Sequence, residues 1–431
     1  MNTAREMEVA SFVDEHRDRL VSLVQDLVRI PSENRAPDGA EKQCQLYVSS
    51  VLRTAGWDPL LYTPADVPEI QRHPFYWPGR HYANRPNVAA TRHGSGGGRS
   101  LVLSGHIDTV PAGSAPWTRD PFGGEVDGNR LYGRGSNDMK AGIAANLFVA
   151  EALPALGIQL AGDLTFESVV DEEFGGVNGT LAGRLMGFNA DAAVISEPSF
   201  LRVLPAQRGG RTIDITFTAG NGGILGAGPA LGVIDQLRVF LQELPRFTAL
   251  RLLSAPPHPL YSHLENPVPV SVSRIQTAPW GTSEPSNVPA ECRLELFWQA
   301  MPGEALQTVD EHFAGWFEDL LRDNPAVFSQ RPRLDYPIRW LPGSAIDAGC
   351  PLVSELSAAV RRTLGFEPAV AGIEGPCDMY VFHEFGVPAV LWGRRGGNIH
   401  MPDEYVEIDS LVQSTKALLS FVCSWCGEDS R

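Results

Sequence analysis

The sequence predicts an α/β fold, a mixed, mostly parallel sheet flanked by helices, with a small α+β domain inserted into it. Three observations predict it. From Asn87 onward, short apolar strands alternate with helical segments, the pattern of a parallel sheet covered on both faces. Near Gln207 the texture shifts to strands that alternate apolar and polar residues. Near Leu341 the first texture returns. The 431 residues exceed one ordinary core. The economical division is a larger domain made of residues 1–206 and 341–431, interrupted by a smaller one at 207–340.

The elements follow in order. "VASFVDEHRDRLVSLVQDLVRIPS" carries Val9, Phe12, Val13, Leu20, Leu23, Val24 and Leu27 at helical spacing and stops before Pro31. A second helix spans "EKQCQLYVSSVLRTAG" and is closed by Gly56. Residues 62–86, rich in Pro and aromatics, read as a long surface loop, of a length that is uncommon unless functional or disordered. Strands "NVAAT", "LVLSGH", "DLTFESVV" and "DAAVIS" come next, with helix "MKAGIAANLFVAEAL" between the second and third. Beyond Gln207, "RTIDITFTA" reads as a half-exposed antiparallel strand. Helix "GVIDQLRVFLQEL", strands "PVSVSRIQ" and "CRLELFWQA", and helix "EALQTVDEHFAGWFEDLLRD" follow it. Helix "VSELSAAVRRTL", strand "AVLWG" and a final helix complete the chain.

Composition narrows the partners. Hydrophobic residues make up 43% and charged residues 20%, a soluble globular composition with no apolar run long enough for a bilayer. The opening residues lack the apolar core of a secretory signal, so a cytoplasmic location is expected. A net charge of -16, from 51 acidic against 35 basic residues, disfavours nucleic acid and anionic membranes as partners. The same excess of carboxylates suits the holding of cations. Cys423 and Cys426 form a lone C-x-x-C, which reads as two residues sharing a helix face.

The chemistry concentrates in five segments. "LVLSGHIDTVP" ends a buried strand in His106 and Asp108, which share one face at i and i+2. A carboxylate there can fix the imidazole tautomer. "LYGRGSNDMKAG" puts Asp138 in a glycine-rich loop before a helix. "VVDEEFGG" puts Asp171, Glu172 and Glu173 after a strand, "VISEPS" puts Glu197 after another, and "GGNIHMPDEYV" puts His400 after a glycine turn. Singly, each has an ordinary reading: a helix N-cap for Asp138, solvated charges for the acids, a turn residue for Glu197, a surface imidazole for His400. Together they place two His and several carboxylates along one sheet edge. That is a mixed N/O set suited to divalent ions, with a spare acid able to take a proton.

"SGHIDTVP", "WTRDPFGGEVDGNRLYGRGSNDMKAG", "VVDEEFGG", "SEPS", "NVP" and "HMPDEYVEIDSL", in that order, resemble the M20 family of metallopeptidases and deacylases. The sequence looks most like the branch holding acetylornithine deacetylase and succinyl-diaminopimelate desuccinylase. The resemblance implies a zinc-peptidase-like catalytic domain with a lid and dimerisation domain at 207–340, and therefore a homodimer. It implies two Zn²⁺ per chain, with Co²⁺ or Mn²⁺ able to substitute. Asp138 would bridge them, His106 and Glu197 completing one site, Glu173 and His400 the other. Asp108 would orient His106, and Glu172 would be the general base. The implied reaction is hydrolysis of an amide in a small N-acyl amino acid, dipeptide or related compound by water that the metals activate. The alternatives are a hydrolase of a non-peptide amide (a formamide or carbamoyl group) and a non-catalytic metal- or ligand-binding member. Arg208, Arg394 and Arg395 are candidates for a substrate carboxylate, and Asn287 matches a lid asparagine of the family. The family's lid histidine has no counterpart in "TIDITFTAGNGGILGAGPALGVIDQL", and Gln299 stands where a family arginine is expected. His258 and His263 are the nearest candidates for the lid role.

Overall fold

The amphipathic opening segment folds as two helices. Helices α1 (Thr3–Glu15) and α2 (Arg17–Arg29) meet at His16, whose φ of -108° and ψ of 22° are not helical. Its ring stacks on Phe12 at 4.0 Å and its Nδ1 lies 2.8 Å from the Phe12 carbonyl oxygen, so the break is held locally. Helix α3 (Lys42–Thr54) ends as expected ahead of Gly56, whose φ of 79° is a glycine conformation. The structure, a computed structural model, describes residues 3–220, 231–277 and 289–428. Asn287 lies outside them. The chain divides into two compact units, one of Met1–Ala206, Ala345–Ile373 and Cys377–Arg431, the other of Gln207–Ser344 with Glu374–Pro376.

The first unit is built on a nine-stranded sheet. Its strands include β1 (Leu60–Tyr62), β2 (Asn87–Arg92), β3 (Leu101–Ser104), β4 (Leu164–Ser168), β5 (Ala193–Ile195), β6 (Val203–Gln207) and β7 (Ala389–Leu391). Their spatial order is β6-β7-β5-β3-β4-β2-β1. Pairs β7/β5, β5/β3 and β3/β4 are parallel. The margins are antiparallel: β2 and β1 on one side, β6 on the other. All four central strands are buried on both faces; β3, β5 and β7 are accordingly apolar or small throughout, while β4 also buries Glu167, paired with Arg184 at 2.8 Å. Helix α4 (Ala141–Ala155) is a covering element, with twelve of its fifteen residues buried, so its sequence is apolar all round instead of striped. A Cβ on Gly142 in its first turn would lie 2.0 Å from the Ser196 carbonyl oxygen, an approach only glycine permits. All four parallel strands point their carboxyl ends to one edge.

The second unit is an antiparallel four-stranded sheet, ordered Val270–Gln276, Glu291–Ala300, Gly209–Thr218, Arg333–Asp335. Helices Val233–Ser254 and Leu306–Asp323 cover one face. The core between them is aromatic: Trp298 stacks on Phe313 at 5.2 Å, and Phe247 meets Trp298 edge-on at 5.5 Å. Strand Gly209–Thr218 was expected to be half exposed, but its polar face is covered as well. It is a central strand, and long neighbours lie over its polar residues; Arg293 from the next strand pairs with Asp214. Among the described residues, no helix is long and apolar enough to cross a membrane.

Candidate metal centre

His106 stands two residues past β3, where an isolated parallel bridge to Val169 continues the sheet. Its imidazole is 2% exposed, and Nε2 points at three carboxylates: Asp138 Oδ1 at 3.2 Å, Glu197 Oε1 at 3.4 Å and Glu172 Oε2 at 3.9 Å. Glu197 follows β5 by two residues and Glu172 follows β4 by four, so adjacent parallel strands deliver all three side chains. Asp138 comes from the irregular turn Ser136–Lys140 before α4. Its other oxygen, Oδ2, lies 3.3 Å from His400 Nε2, which also reaches Glu173 Oε2 at 2.8 Å. Asp138 therefore stands between two imidazoles with one oxygen toward each. Ligand atoms of His106, Asp138 and Glu173 all fall within 4.8 Å of one another.

Asp108 does not act on His106 through its carboxylate, as the sequence suggested. The Nδ1 of His106 lies 2.9 Å from the Asp108 backbone carbonyl oxygen and 3.8 Å from its carboxylate. The chain turns after the strand, which brings the i+2 carbonyl under the ring and frees the side chain. That carboxylate accepts the backbone N–H groups of Glu172 (3.0 Å) and Glu173 (3.1 Å) and the Asn34 amide (2.9 Å). Asp108 thus fixes the turn that carries both acids. Asp171, with a left-handed φ of 69°, is anchored by Tyr82 Oη at 2.7 Å and by Arg85 and Asn34 at 3.3 Å.

Burial raises the Glu172 carboxyl well above the usual range and holds Glu173 up to about 7, with the Asp138 charge adding to the latter. Glu197 is raised for the same two reasons. Burial alone would raise Asp138 too, but hydrogen bonds from His106 and His400 draw it far down. Burial opposes charge on the imidazoles, yet the surrounding carboxylates push His106 well up and His400 up to about 11. Four crowded carboxylates and two imidazoles, aimed inward, fit divalent cations with N/O ligands, which would relieve this crowding. Beside them lies a cavity of about 10 Å³, room for one water, lined by His106, Glu172, Glu197, Thr180, Asp378 and Phe382. Asp378 is pushed up to about 8 by burial and accepts from Thr180 Oγ1 at 2.5 Å.

Two of the three arginine candidates are otherwise engaged. Arg394 is buried, with its Nη atoms on the carbonyl oxygens of Ser196 and Asn137, so it ties together the loops of Glu197 and Asp138. Arg208 donates through Nε at 3.0 Å to the Glu374 carbonyl oxygen and through Nη1 at 2.6 Å to that of Pro267. Both guanidiniums are spent on backbone, not held open for a carboxylate. Arg395 is exposed, and its backbone N–H and C=O both meet the Ser410 hydroxyl. Gln299 donates to the same Glu374 carbonyl oxygen at 2.6 Å. His258 accepts the Leu260 N–H at 3.3 Å as a cap, and His263 is exposed. Asn34, Asp378 and Glu404 were missed; Glu404 could have been noticed as an acid four residues after His400.

A family model described as peptidase family M20/M25/M40 matches residues 102–424. The chain is 30% identical over 97% of its length, and 97% of the relative's, to an N-formyl-4-amino-5-aminomethyl-2-methylpyrimidine deformylase of Halalkalibacterium halodurans. It is 30% identical, over 92% of its length and 94% of the relative's, to a succinyl-diaminopimelate desuccinylase of Methylobacterium radiotolerans. Among solved structures, a di-peptidase of Saccharomyces cerevisiae, Dug1p, superposes with a TM-score of 0.79 at 16% identity, covering 99% of both chains.

Proposed function

Because the chain belongs to peptidase family M20/M25/M40 and is a metal-dependent hydrolase acting on amide bonds, we propose that it cleaves a small N-acyl amine, foremost an N-formyl amine. The observation that carries the hydrolytic reading is Asp138, one oxygen toward His106 and the other toward His400, with Glu172 3.9 Å from His106. In this reading His106, Asp138 and Glu197 hold one divalent ion, and Asp138, Glu173 and His400 the other, zinc being the first candidate. Ions bound there supply positive charge that polarises an amide carbonyl and acidifies water. Glu172 is the base: its carboxylate takes the proton of the attacking water as oxygen bonds to the acyl carbon. It then hands that proton to the amine nitrogen as the C–N bond breaks. Asp108 serves this by fixing the Glu172 and Glu173 amides, and Arg394 by fixing the backbone beside Asp138 and Glu197.

Two considerations support the formyl group. The Halalkalibacterium relative, similar over nearly its whole length, is named for removing one. A formamide carbonyl bears hydrogen instead of carbon, so it is less hindered and more electrophilic than an alkyl amide. It therefore asks less of an oxyanion donor, and this sequence has no histidine between His106 and His258 to supply one from the expected place. The inserted unit fits a homodimer. Strand Val270–Gln276 is an edge strand with exposed Ile275, and the helix Val233–Ser254 exposes Leu241, Leu252 and Leu253.

The test is a screen of N-formyl, N-acetyl and N-succinyl amines and dipeptides with added Zn²⁺ or Co²⁺. The highest kcat/KM is expected with an N-formyl amine. Faster cleavage of dipeptides or succinyl amines would remove the formyl reading and keep the hydrolase.

A further inference from the structure

Glu404 lies four residues beyond His400, yet its carboxylate serves the loop of Asp138. It is 1% exposed. Oε2 accepts from Arg134 Nη1 at 2.7 Å and from the Gly135 N–H at 3.0 Å, while Oε1 accepts from the N–H groups of Asn137 and Asp138, each at 3.0 Å. Asp138, with φ of -117° and ψ of 97°, is not helical, so no helix satisfies its N–H and Glu404 does so instead. The backbone continues the tie: the Gly133 N–H donates to the Glu404 carbonyl oxygen at 2.9 Å, and strand Tyr405–Glu407 pairs with Arg130–Tyr132. On the other side of Glu404, Asn398, His400 and Asp403 all have positive φ, near 56–61°. That turn is closed by its own bonds, from the Met401 N–H to the Asn398 carbonyl oxygen at 2.9 Å and from Asn398 Nδ2 to the Asp403 carbonyl oxygen at 3.1 Å, and Glu404 joins it to the Asp138 loop.

We infer that Glu404 is a positioning residue for the metal centre, clamping the Gly135–Asp138 backbone to the His400 turn so that the carboxylate and the imidazole face each other before any ion arrives. The inference rests on the reading of Asp138 and His400 as metal ligands. A Glu404→Gln change keeps the size but turns one acceptor oxygen into an NH₂ group. That group must then face either Arg134 and Gly135 or Asn137 and Asp138, donor against donor. Because Asp138 reaches toward both imidazoles, loosening its loop weakens both ions together.

The experiment measures Zn²⁺ dissociation constants by chelator competition, stoichiometry by elemental analysis, and melting of the metal-free full-length protein. Glu404→Gln is expected to weaken both ions by about 10–100-fold, the usual worth of a group that orients metal ligands. Its metal-free melting should fall as well, because buried Arg134 loses its counter-charge, and Glu404→Asp should recover part of the affinity. Unchanged affinity for two ions, or loss of one ion alone, overturns the inference. So does a fall in melting with affinity intact, which marks a purely structural carboxylate. Should Glu404→Gln not fold, amide exchange in the metal-free parent decides: slow exchange at Asn137 and Asp138 supports the clamp, and exchange at open-loop rates refutes it. A parent that binds no Zn²⁺ would instead remove the reading of the centre.

Discussion

The two histidines of the cluster are held in opposite ways. His106 is 2% exposed, sits just past a parallel strand, and takes its ring orientation from the carbonyl two residues on. His400 has a side chain 48% exposed and a left-handed backbone, on a turn far along the chain. Its ring meets only carboxylates among the described contacts, and side chains secure its turn: within it Asn398 Nδ2 donates to the Asp403 carbonyl oxygen at 3.1 Å, and from outside Thr118 donates to the Asp403 carboxylate at 2.9 Å. A strand end preorganises a ligand through the sheet's own hydrogen bonds. A turn must import its order through side chains, at about 1 kcal/mol or more for each strained residue. The contrast predicts which half of the centre yields first.

The largest effect erases the contrast. Asp138→Ala should remove both ions, since one carboxylate faces both imidazoles; elemental analysis finding stoichiometric metal in that variant would show that it bridges nothing. Next, Glu172→Gln should lower kcat by roughly 10²–10⁴-fold with metal content near that of the parent, whereas Glu173→Gln should shed metal from the His400 side. Metal loss following Glu172 instead would exchange the two roles. Smaller still is a test of the two histidines. His400→Ala should regain metal in the presence of imidazole, which can enter a half-exposed gap, and His106→Ala should not, because its space is closed. Equal rescue of both would dissolve the distinction.

The smallest effect concerns pH in the metal-free protein. Hydrogen bonds to Asp138 and Glu173 outweigh burial and hold His400 up to about 11, above the ordinary imidazole value. A raised folded value means that the stabilisation is complete below about 6.5 and drains away as pH climbs toward 11. The metal-free parent should therefore lose more of its melting temperature between neutral and alkaline pH than metal-free His400→Ala does. Parallel curves for the two would count against the ion pairs.

Much of this architecture was legible. Strand β3 reads as buried because every residue is apolar or small, and the i, i+2 rule puts His106 at its end. The fold class followed from the same alternation. The antiparallel margins did not, because β2 is as apolar as β4 beside it and nothing in "NVAAT" encodes direction. Arg208 and Arg394 look like carboxylate binders in sequence, but their partners are backbone carbonyls, which every residue has and no motif displays. The work of Asp108 was misplaced for the same reason: its partners at Glu172 and Glu173 are backbone N–H groups. Side-chain chemistry can be read from letters. Main-chain chemistry needs the fold.

The strand order of the first unit also bears on how a growing chain must behave. Strand β7 lies between β5 and β6, although it is synthesised long after both. At 5–20 residues per second, the ribosome leaves that gap open for on the order of ten seconds or more while the segment Gln207–Ser344 is made. Until Ala389–Leu391 arrives, β5 and β6 each present a bare apolar edge, a template for any passing strand. Nascent chains halted before Ala389 should accordingly be captured by folding helpers, and those released after it should not.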